Sequence, residues 1–153
     1  MSNTYSQIHL HFVIAVKFRR RQISDDWKDS LYKYITGIIQ AYGHKLLSIN
    51  GMPDHVHILI GMRPTQSISE LMQKTKSMSS KWINDQGLTT GKFEWQGGYA
   101  VFSLSKTEVP RVIQYIGNQE VHHSQQKFLE EYIHLLQQED IEYDDRYLFT
   151  ELE

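Results

Sequence analysis

This 153-residue chain lacks one residue type and several sequence features, and each absence excludes a class of protein or of site. It contains no cysteine, which excludes disulfide bonds, thiolate nucleophiles and zinc sites built on cysteine. No stretch approaches the ~20 apolar residues that a membrane-spanning helix needs. The N-terminus also lacks the basic and then apolar arrangement of a secretory signal. These absences together predict a cytoplasmic protein.

The chain is long enough for one domain with a substantial core. Its net charge of −2 is unevenly distributed, because residues 139–153 carry seven acidic residues and one basic residue. The remaining 138 residues contain 15 basic and 11 acidic residues. We therefore predict a domain over 1–138 and a solvated acidic tail over 139–153. The basic body permits a nucleic-acid partner without requiring one.

The hydrophobic pattern predicts strands and helices in the order β-α-β-β-α-β, followed by further helices. This order is typical of the ferredoxin-like α+β fold, an antiparallel sheet with two helices on one face. Its first and third strands lie side by side at the centre of the sheet. The predicted elements are a strand at 8–16, a helix capped by Ser24 and ending near Gly43, a hairpin at 45–61, a helix from Ser67 to 85–87, a strand at 99–104, and helices at 109–118 and 122–138.

Apolar residues at helical spacing predict which side of the first two helices faces the core. For the first helix these residues are Trp27, Leu31, Tyr34, Ile35, Ile38 and Ile39. For the second helix they are Ile68, Leu71, Met72, Thr75, Met78 and Trp82. We interpret Met62, Met72 and Met78 as core or interface residues, with no cofactor implied.

The hairpin carries the most informative motif, His55-Val56-His57. A turn over 50–54 separates two β-rich segments, and alternation along the second strand points both imidazoles to the same side. Two neutral imidazoles so close together form half of a site for a divalent metal. His9 and His11 would lie near this pair if the first and third strands are neighbours. The sequence leaves their register open and favours a structural role for both.

A second motif lies on the predicted helix at 109–118. Tyr115 and Gln119 are four residues apart, so their side chains are expected on one side of a helix. A tyrosine hydroxyl can act as a covalent nucleophile, and an amide oxygen can bind a metal. His122 and His123 follow, as surface residues or as neighbours of such a site.

These motifs together resemble the HUH single-tyrosine transposases of bacterial insertion sequences. The His-hydrophobe-His hairpin, the later tyrosine helix and the strand order all match that family's pattern. Residues 12–20 are similar to its first strand, and residues 51–59 are similar to its metal-binding hairpin. The resemblance covers nearly the whole chain except the acidic tail.

The resemblance implies a metal-dependent enzyme that cleaves and rejoins single-stranded DNA. His55, His57 and Gln119 would hold Mg²⁺ or Mn²⁺ at the scissile phosphate. Tyr115 would attack the phosphorus and form a 5′-phosphotyrosine, leaving a free 3′-hydroxyl on the DNA. Members of the family recognise DNA hairpins at the ends of their elements. They form homodimers in which one subunit's tyrosine completes the other's active site.

Two basic clusters are candidates for DNA binding. Arg19, Arg20 and Arg21 follow the first strand, and Lys74, Lys76 and Lys81 lie on the polar side of the second helix. Trp95 and Tyr99 flank a glycine-containing loop and offer aromatic surfaces for an unpaired base. We favour a packing role for these two aromatic residues.

Two other functions fit the same sequence. One is a domesticated relative that processes chromosomal repeat hairpins with the same chemistry. The other is a non-catalytic ferredoxin-like module that binds nucleic acid. A non-haem iron oxygenase fits poorly, because its site needs two histidines and a carboxylate. Among the acidic residues, only Asp54 and Glu120 are expected near the histidine pair.

Overall fold

The computed structural model describes residues 3–121 and 127–142 of the chain. Within these ranges, no helix is long and apolar enough to cross a membrane. The strands are β1 (His9–Ala15), β2 (Lys45–Met52), β3 (His55–Gly61) and β4 (Ala100–Leu104). The helices are α1 (Lys28–Ala41), α2 (Ile68–Asp85), α3 (Val109–Gly117) and α4 (Phe128–Gln138).

The four strands form one antiparallel sheet in the order β2-β3-β1-β4. The central pair is β1 and β3, as the ferredoxin-like prediction requires. In their register, Val13 lies opposite His57 and Ala15 lies opposite His55. His11 lies opposite Leu59, so it shares a face of the sheet with the histidine pair. The predicted α+β fold is confirmed.

One face of the sheet packs against α1 and α2. Every second residue of β1 and β3 contributes a fully or almost fully buried apolar side chain to this core. The helices contribute Leu31, Ile35 and Ile39 from α1 and Leu71 and Met72 from α2 to the same core. This face supplies most of the apolar burial that stabilises the domain.

The opposite face of the same strands is covered by α3 and α4. Val13 and Ala15 pack against Phe128 and Tyr132 of α4, and Leu59 packs against Val112 and Ile116 of α3. The histidines of β1 and β3 lie on this face. The two C-terminal helices therefore enclose the candidate site between themselves and the sheet.

Three predictions about α1 and α2 differ from the structure. First, α1 begins at Lys28, because Ser24 caps a preceding turn through its bond from the Asp26 backbone N–H. Second, Tyr32 is buried on α1 whereas Tyr34 is half-buried and stacks on Trp82.

The third difference concerns α2, which is rotated relative to the predicted stripe. Its buried side includes Ser79 and Ile83, while Met78 is 39% exposed. Ser79 is accommodated because its hydroxyl donates to the Thr75 carbonyl and accepts from the Trp95 indole N–H. Met78 is therefore not a core residue, because Ser79 and Ile83 occupy the buried side instead. Its interpretation as an interface residue stays a prediction.

Candidate metal and nucleophile site

The two histidines of the hairpin are fully buried on the face covered by α3 and α4. Their ring centroids are 5.1 Å apart. The Nε2 atoms of both rings face one carboxylate oxygen, Glu131 Oε1, at 3.5 Å from His55 and 3.2 Å from His57. This convergence is the centre of the candidate site.

The tight hairpin that presents His55 depends on Gly51. The strand β2 continues to Met52, so the turn contains only Pro53 and Asp54 and is shorter than the predicted turn over 50–54. A Cβ at Gly51 would lie 2.1 Å from the His55 carbonyl oxygen and 2.8 Å from the Val56 Cα. Only glycine permits this close approach of the two strands.

Asp54 fixes the orientation of the His55 ring. The His55 Nδ1–H donates to Asp54 Oδ1 at 2.7 Å, which leaves Nε2 facing the centre of the site. Burial by itself would lower the pKa of His55, but the hydrogen bonds with Asp54 and Glu131 outweigh it and raise that pKa. A carboxylate behind a ligand histidine is the arrangement that orients such rings in metal sites.

Arg19 and Phe128 support the same ring from outside the site. Phe128 of α4 stacks on His55 with a centroid separation of 3.9 Å, and the Arg19 guanidinium carbon lies over the Phe128 ring, 4.9 Å from its centroid. Arg19 Nε also lies 4.0 Å from Asp54 Oδ2. Phe18 and Arg19 adopt positive φ angles of 58° and 54°, a conformation that is uncommon outside glycine. This turn directs the guanidinium inward.

His11 forms a hydrogen bond with the ring of His57, so it belongs to the candidate site. Its Nε2 lies 2.8 Å from His57 Nδ1. Burial, reinforced by the neighbouring His57, lowers the pKa of His11 to about 3, so His11 is neutral at physiological pH. A neutral His11 protonated on Nδ1 accepts the His57 Nδ1–H through Nε2, and His57 Nε2 is then available for a metal.

Tyr115 of α3 and Gln119, two residues beyond the end of that helix, reach the same centre. The Tyr115 hydroxyl donates a short hydrogen bond to Glu131 Oε2. Gln119 Oε1 lies 3.1 Å from His55 Nε2, and its Nε2 donates to Glu131 Oε2 at 3.3 Å. Burial and then the Glu131 carboxylate raise the pKa of Tyr115.

Glu131 of α4 is the residue that sequence reasoning missed. It is 2% exposed and contacts both histidines, Tyr115 and Gln119. The expectation that only Asp54 or Glu120 lies near the pair is therefore wrong in part. Asp54 contacts the outer nitrogen of His55, and Glu120 is exposed and pairs with Lys28.

The donor set suits a divalent metal. His55, His57 and Glu131 each offer a ligand atom, and these atoms all lie within 4.8 Å of one another. Gln119 adds an amide oxygen beside them. Imidazole nitrogen suits first-row transition-metal ions, and carboxylate and amide oxygens suit Mn²⁺ and Mg²⁺.

The candidate DNA-binding residues lie in different surroundings. Arg19 is buried behind the site, whereas Arg20 and Arg21 are exposed. Lys76 is half-buried and donates to the carbonyl oxygens of Gln96 and Gly98. Lys74 and Lys81 are exposed on α2, and Lys81 pairs with Asp85.

The two aromatic residues of the loop also differ. Trp95 is buried in the core, where its indole N–H donates to Ser79, as the packing interpretation expects. Tyr99 is half-buried beside Phe12. His122, His123 and tail residues 143–153 lie outside the described residues.

Comparison with known proteins adds independent evidence. Residues 4–119 match the family model of IS200-like transposases. The chain is 24% identical over 119 residues to the ISDra2 transposase TnpA of Deinococcus radiodurans, covering 74% of this chain and 84% of that protein.

Two solved structures share the fold. One is a transposase candidate from Deinococcus radiodurans R1, with a TM-score of 0.63, 26% identity, and coverage of 78% of this chain and 95% of that one. The other is a REP-associated tyrosine transposase bound to a REP hairpin, with a TM-score of 0.60 and 15% identity. It covers 80% of this chain and 73% of that one.

The family match covers most of the chain, including β1, the histidine hairpin, Tyr115 and Gln119. The shared fold agrees with it. This chain therefore belongs to the IS200-like transposases, the HUH single-tyrosine family of DNA-nicking and rejoining enzymes that its motifs resemble.

Proposed function

We propose that this enzyme cleaves and rejoins single-stranded DNA through a 5′-phosphotyrosine on Tyr115, with a divalent metal held by His55, His57 and Gln119. One observation carries the proposal. The Tyr115 hydroxyl and the Nε2 atoms of both histidines converge on one buried carboxylate. A nucleophile and a pair of metal ligands therefore lie within reach of the same phosphate.

In the cleavage step, the Tyr115 oxygen attacks the phosphorus of the scissile phosphodiester. The new O–P bond links the enzyme to the 5′ side of the break, and the bond to the 3′ oxygen breaks. Because the pKa of Tyr115 is raised, the phenol is protonated at neutral pH and loses its proton as the attack proceeds. The departing 3′ oxygen takes up a proton, so the charge is balanced.

The rejoining step is the reverse reaction with a different 3′-hydroxyl. The phosphotyrosine bond retains the energy of the original phosphodiester, so strand transfer needs no ATP. A bound Mg²⁺ or Mn²⁺ would supply Lewis-acid stabilisation of the charge that develops on the phosphate oxygens. Asp54 and His11 keep the two ligand rings in the required orientation.

The substrate that we propose is a DNA strand carrying a hairpin. The solved relative with a REP hairpin supports this choice, although its 15% identity establishes only the fold. A groove of about 610 Å³ lies between α2 and segment 92–99, and Lys81 and Lys92 line it. These lysines, together with exposed Arg20 and Arg21, offer phosphate contacts.

The direct test is covalent capture of a labelled single-stranded hairpin oligonucleotide. The wild-type chain should form a protein–DNA adduct, and Tyr115→Phe should form none because the nucleophilic oxygen is absent. Tyr132→Phe is the matched control, since Tyr132 is a buried helix tyrosine outside the carboxylate cluster. An adduct that survives in Tyr115→Phe would refute the assignment of the nucleophile.

Metal dependence has its own test. EDTA should abolish cleavage, and added Mg²⁺ or Mn²⁺ should restore it. Cleavage at an unchanged rate in the chelator would remove the metal from the proposal. Hairpin binding by Tyr115→Phe, measured in the same buffer, would separate a loss of chemistry from a loss of DNA affinity.

We further propose a homodimer, and mixing two inactive variants tests whether its active sites are shared. His57→Ala removes a metal ligand and Tyr115→Phe removes the nucleophile. In a shared arrangement the mixture recovers activity, because one of the two sites combines intact halves from different chains. If each chain uses its own tyrosine, the mixture stays inactive.

The proposed domain division and location follow from the same function. The transposase domain would occupy 1–138, since α4 ends at Gln138, and the acidic tail would follow it. A chain truncated after residue 138 should still form the covalent adduct. A cytoplasmic location would give the enzyme access to its DNA.

A further inference from the structure

We propose that Glu131 is a fourth ligand of the divalent ion and that its second carboxylate oxygen positions Tyr115 beside that ion. This inference rests on the proposed function, because it assumes that His55 and His57 bind a metal. It adds a ligand from α4, outside the segment that matches the family model, which ends at residue 119. It also changes the ligand set from neutral to anionic.

The distances between ligand atoms support this role. Ligands that occupy adjacent octahedral positions about 2.1 Å from one ion lie about 3 Å apart. Glu131 Oε1 lies 3.2 Å from His57 Nε2 and 3.5 Å from His55 Nε2. Gln119 Oε1 lies 3.1 Å from His55 Nε2. Glu131 thus meets the spacing criterion about as well as the amide that the resemblance nominates.

With a metal bound to the histidines, burial and charge agree with this role. The Glu131 side chain is 2% exposed, and burying a carboxylate is costly unless a positive charge compensates it. The histidines that face it are neutral when they bind a metal, and Gln119 is uncharged. A divalent cation between them supplies the compensating charge at the place where the carboxylate points.

The two oxygens of Glu131 face different partners. While Oε1 faces the histidine pair, Oε2 accepts hydrogen bonds from the Tyr115 hydroxyl and the Gln119 amide. One carboxylate would therefore connect the metal to the nucleophile and fix their separation. Four protein ligands would leave two octahedral positions for phosphate oxygens or water.

Mn²⁺ titration, followed by the electron paramagnetic resonance signal of the free ion, tests the ligand role without relying on activity. We expect Glu131→Gln to weaken Mn²⁺ binding by about tenfold or more, since it removes the anionic ligand but preserves the shape. Glu130→Gln is the matched control, because Glu130 is the preceding residue on α4 and is exposed. It should bind Mn²⁺ within about twofold of the wild type.

The outcomes distinguish a failure of the metal site itself from a failure of Glu131 as one of its ligands. If the wild-type chain binds no Mn²⁺, the metal site of the proposed function fails. If the wild type binds Mn²⁺ and Glu131→Gln binds it equally well, only the role of Glu131 fails. Circular dichroism of each variant establishes that a weaker affinity belongs to a folded protein.

Counting the water molecules on bound Mn²⁺ gives a second test, and its first measurement uses the wild-type chain. With ¹⁷O-labelled water, four protein ligands on a six-coordinate ion leave two bound waters. Three bound waters in the wild type would overturn the proposal. Glu131→Ala should raise the count from two to three, and an unchanged count would likewise overturn it.

Discussion

The two faces of the central strands differ in how their side chains are held. On the face covered by α1 and α2, Phe12, Ile14 and Ile58 are fully buried among apolar neighbours. On the opposite face, His11 and His57 alternate with these residues and bond to each other. The same two strands therefore build a core on one side and a chemical site on the other.

This difference has an energetic origin. Apolar packing is non-directional, so one face gains stability from many interchangeable contacts. Buried imidazoles instead require a partner for each nitrogen. The site meets that requirement by pairing the outer nitrogens with Asp54 and His11. Substitutions on the histidine face should therefore act by removing hydrogen-bonding or ligand atoms. Substitutions on the apolar face should act by changing side-chain volume.

The largest expected effect comes from His57→Gln on the histidine face. Loss of this proposed metal ligand should slow cleavage of a hairpin oligonucleotide by about 1000-fold, because a bound metal would contribute several kcal/mol of transition-state stabilisation. Single-turnover kinetics at saturating DNA measure this loss. A cleavage rate within about tenfold of the wild type would contradict the view that the histidine face carries the chemistry.

Ile58→Ala, one residue further along β3, should have the opposite profile. Ile58 is fully buried between β1, β2 and the helices, so its truncation should lower the free energy of unfolding by about 2–5 kcal/mol. Urea denaturation measures this change. At a temperature where the variant remains folded, its cleavage rate should equal that of the wild type. A large loss of rate in folded protein would show that the apolar face also shapes the site.

His11→Phe should weaken Mn²⁺ binding by about 10–100-fold, the range for partners behind metal ligands. The phenyl ring occupies a similar volume but offers no acceptor for the His57 Nδ1–H. His9→Phe serves as the control, because His9 lies on the same strand and face at the next position away from His57. Equal affinities for the two variants would assign His11 to packing alone.

Local patterns were sufficient to predict the fold and the first half of the site. Alternation along β3 placed His55 and His57 on one side, and the turn residues located the hairpin. The register that brings His11 to His57 could not be predicted, because it depends on how β1 pairs with β3. A shift by one residue would have moved His11 to the other face.

Glu131 shows why the rest of the candidate site could not be predicted from the sequence. It lies 74 residues from His57 and on a different helix, and no local spacing connects it with the hairpin. Its position in the sequence, beside the exposed Glu130, resembles an acidic first turn of a helix. Only the packing of α4 across the sheet distinguishes the buried carboxylate from its exposed neighbour.

The smallest effect that we predict is that of Asp54→Asn. Asparagine retains an acceptor for the His55 Nδ1–H, but it removes the negative charge that makes the opposite nitrogen a better ligand. We expect Mn²⁺ affinity to fall by about tenfold, at the lower end of the range for such partners. Asp26→Asn changes an exposed residue in the turn before α1 and should leave the Mn²⁺ affinity unchanged. Affinity equal to the wild type in Asp54→Asn would mean that orientation alone, without charge, fixes His55. In that case the hydrogen-bond geometry, and not the charge, would be what distinguishes Asp54 on this face from the non-directional packing of the apolar face.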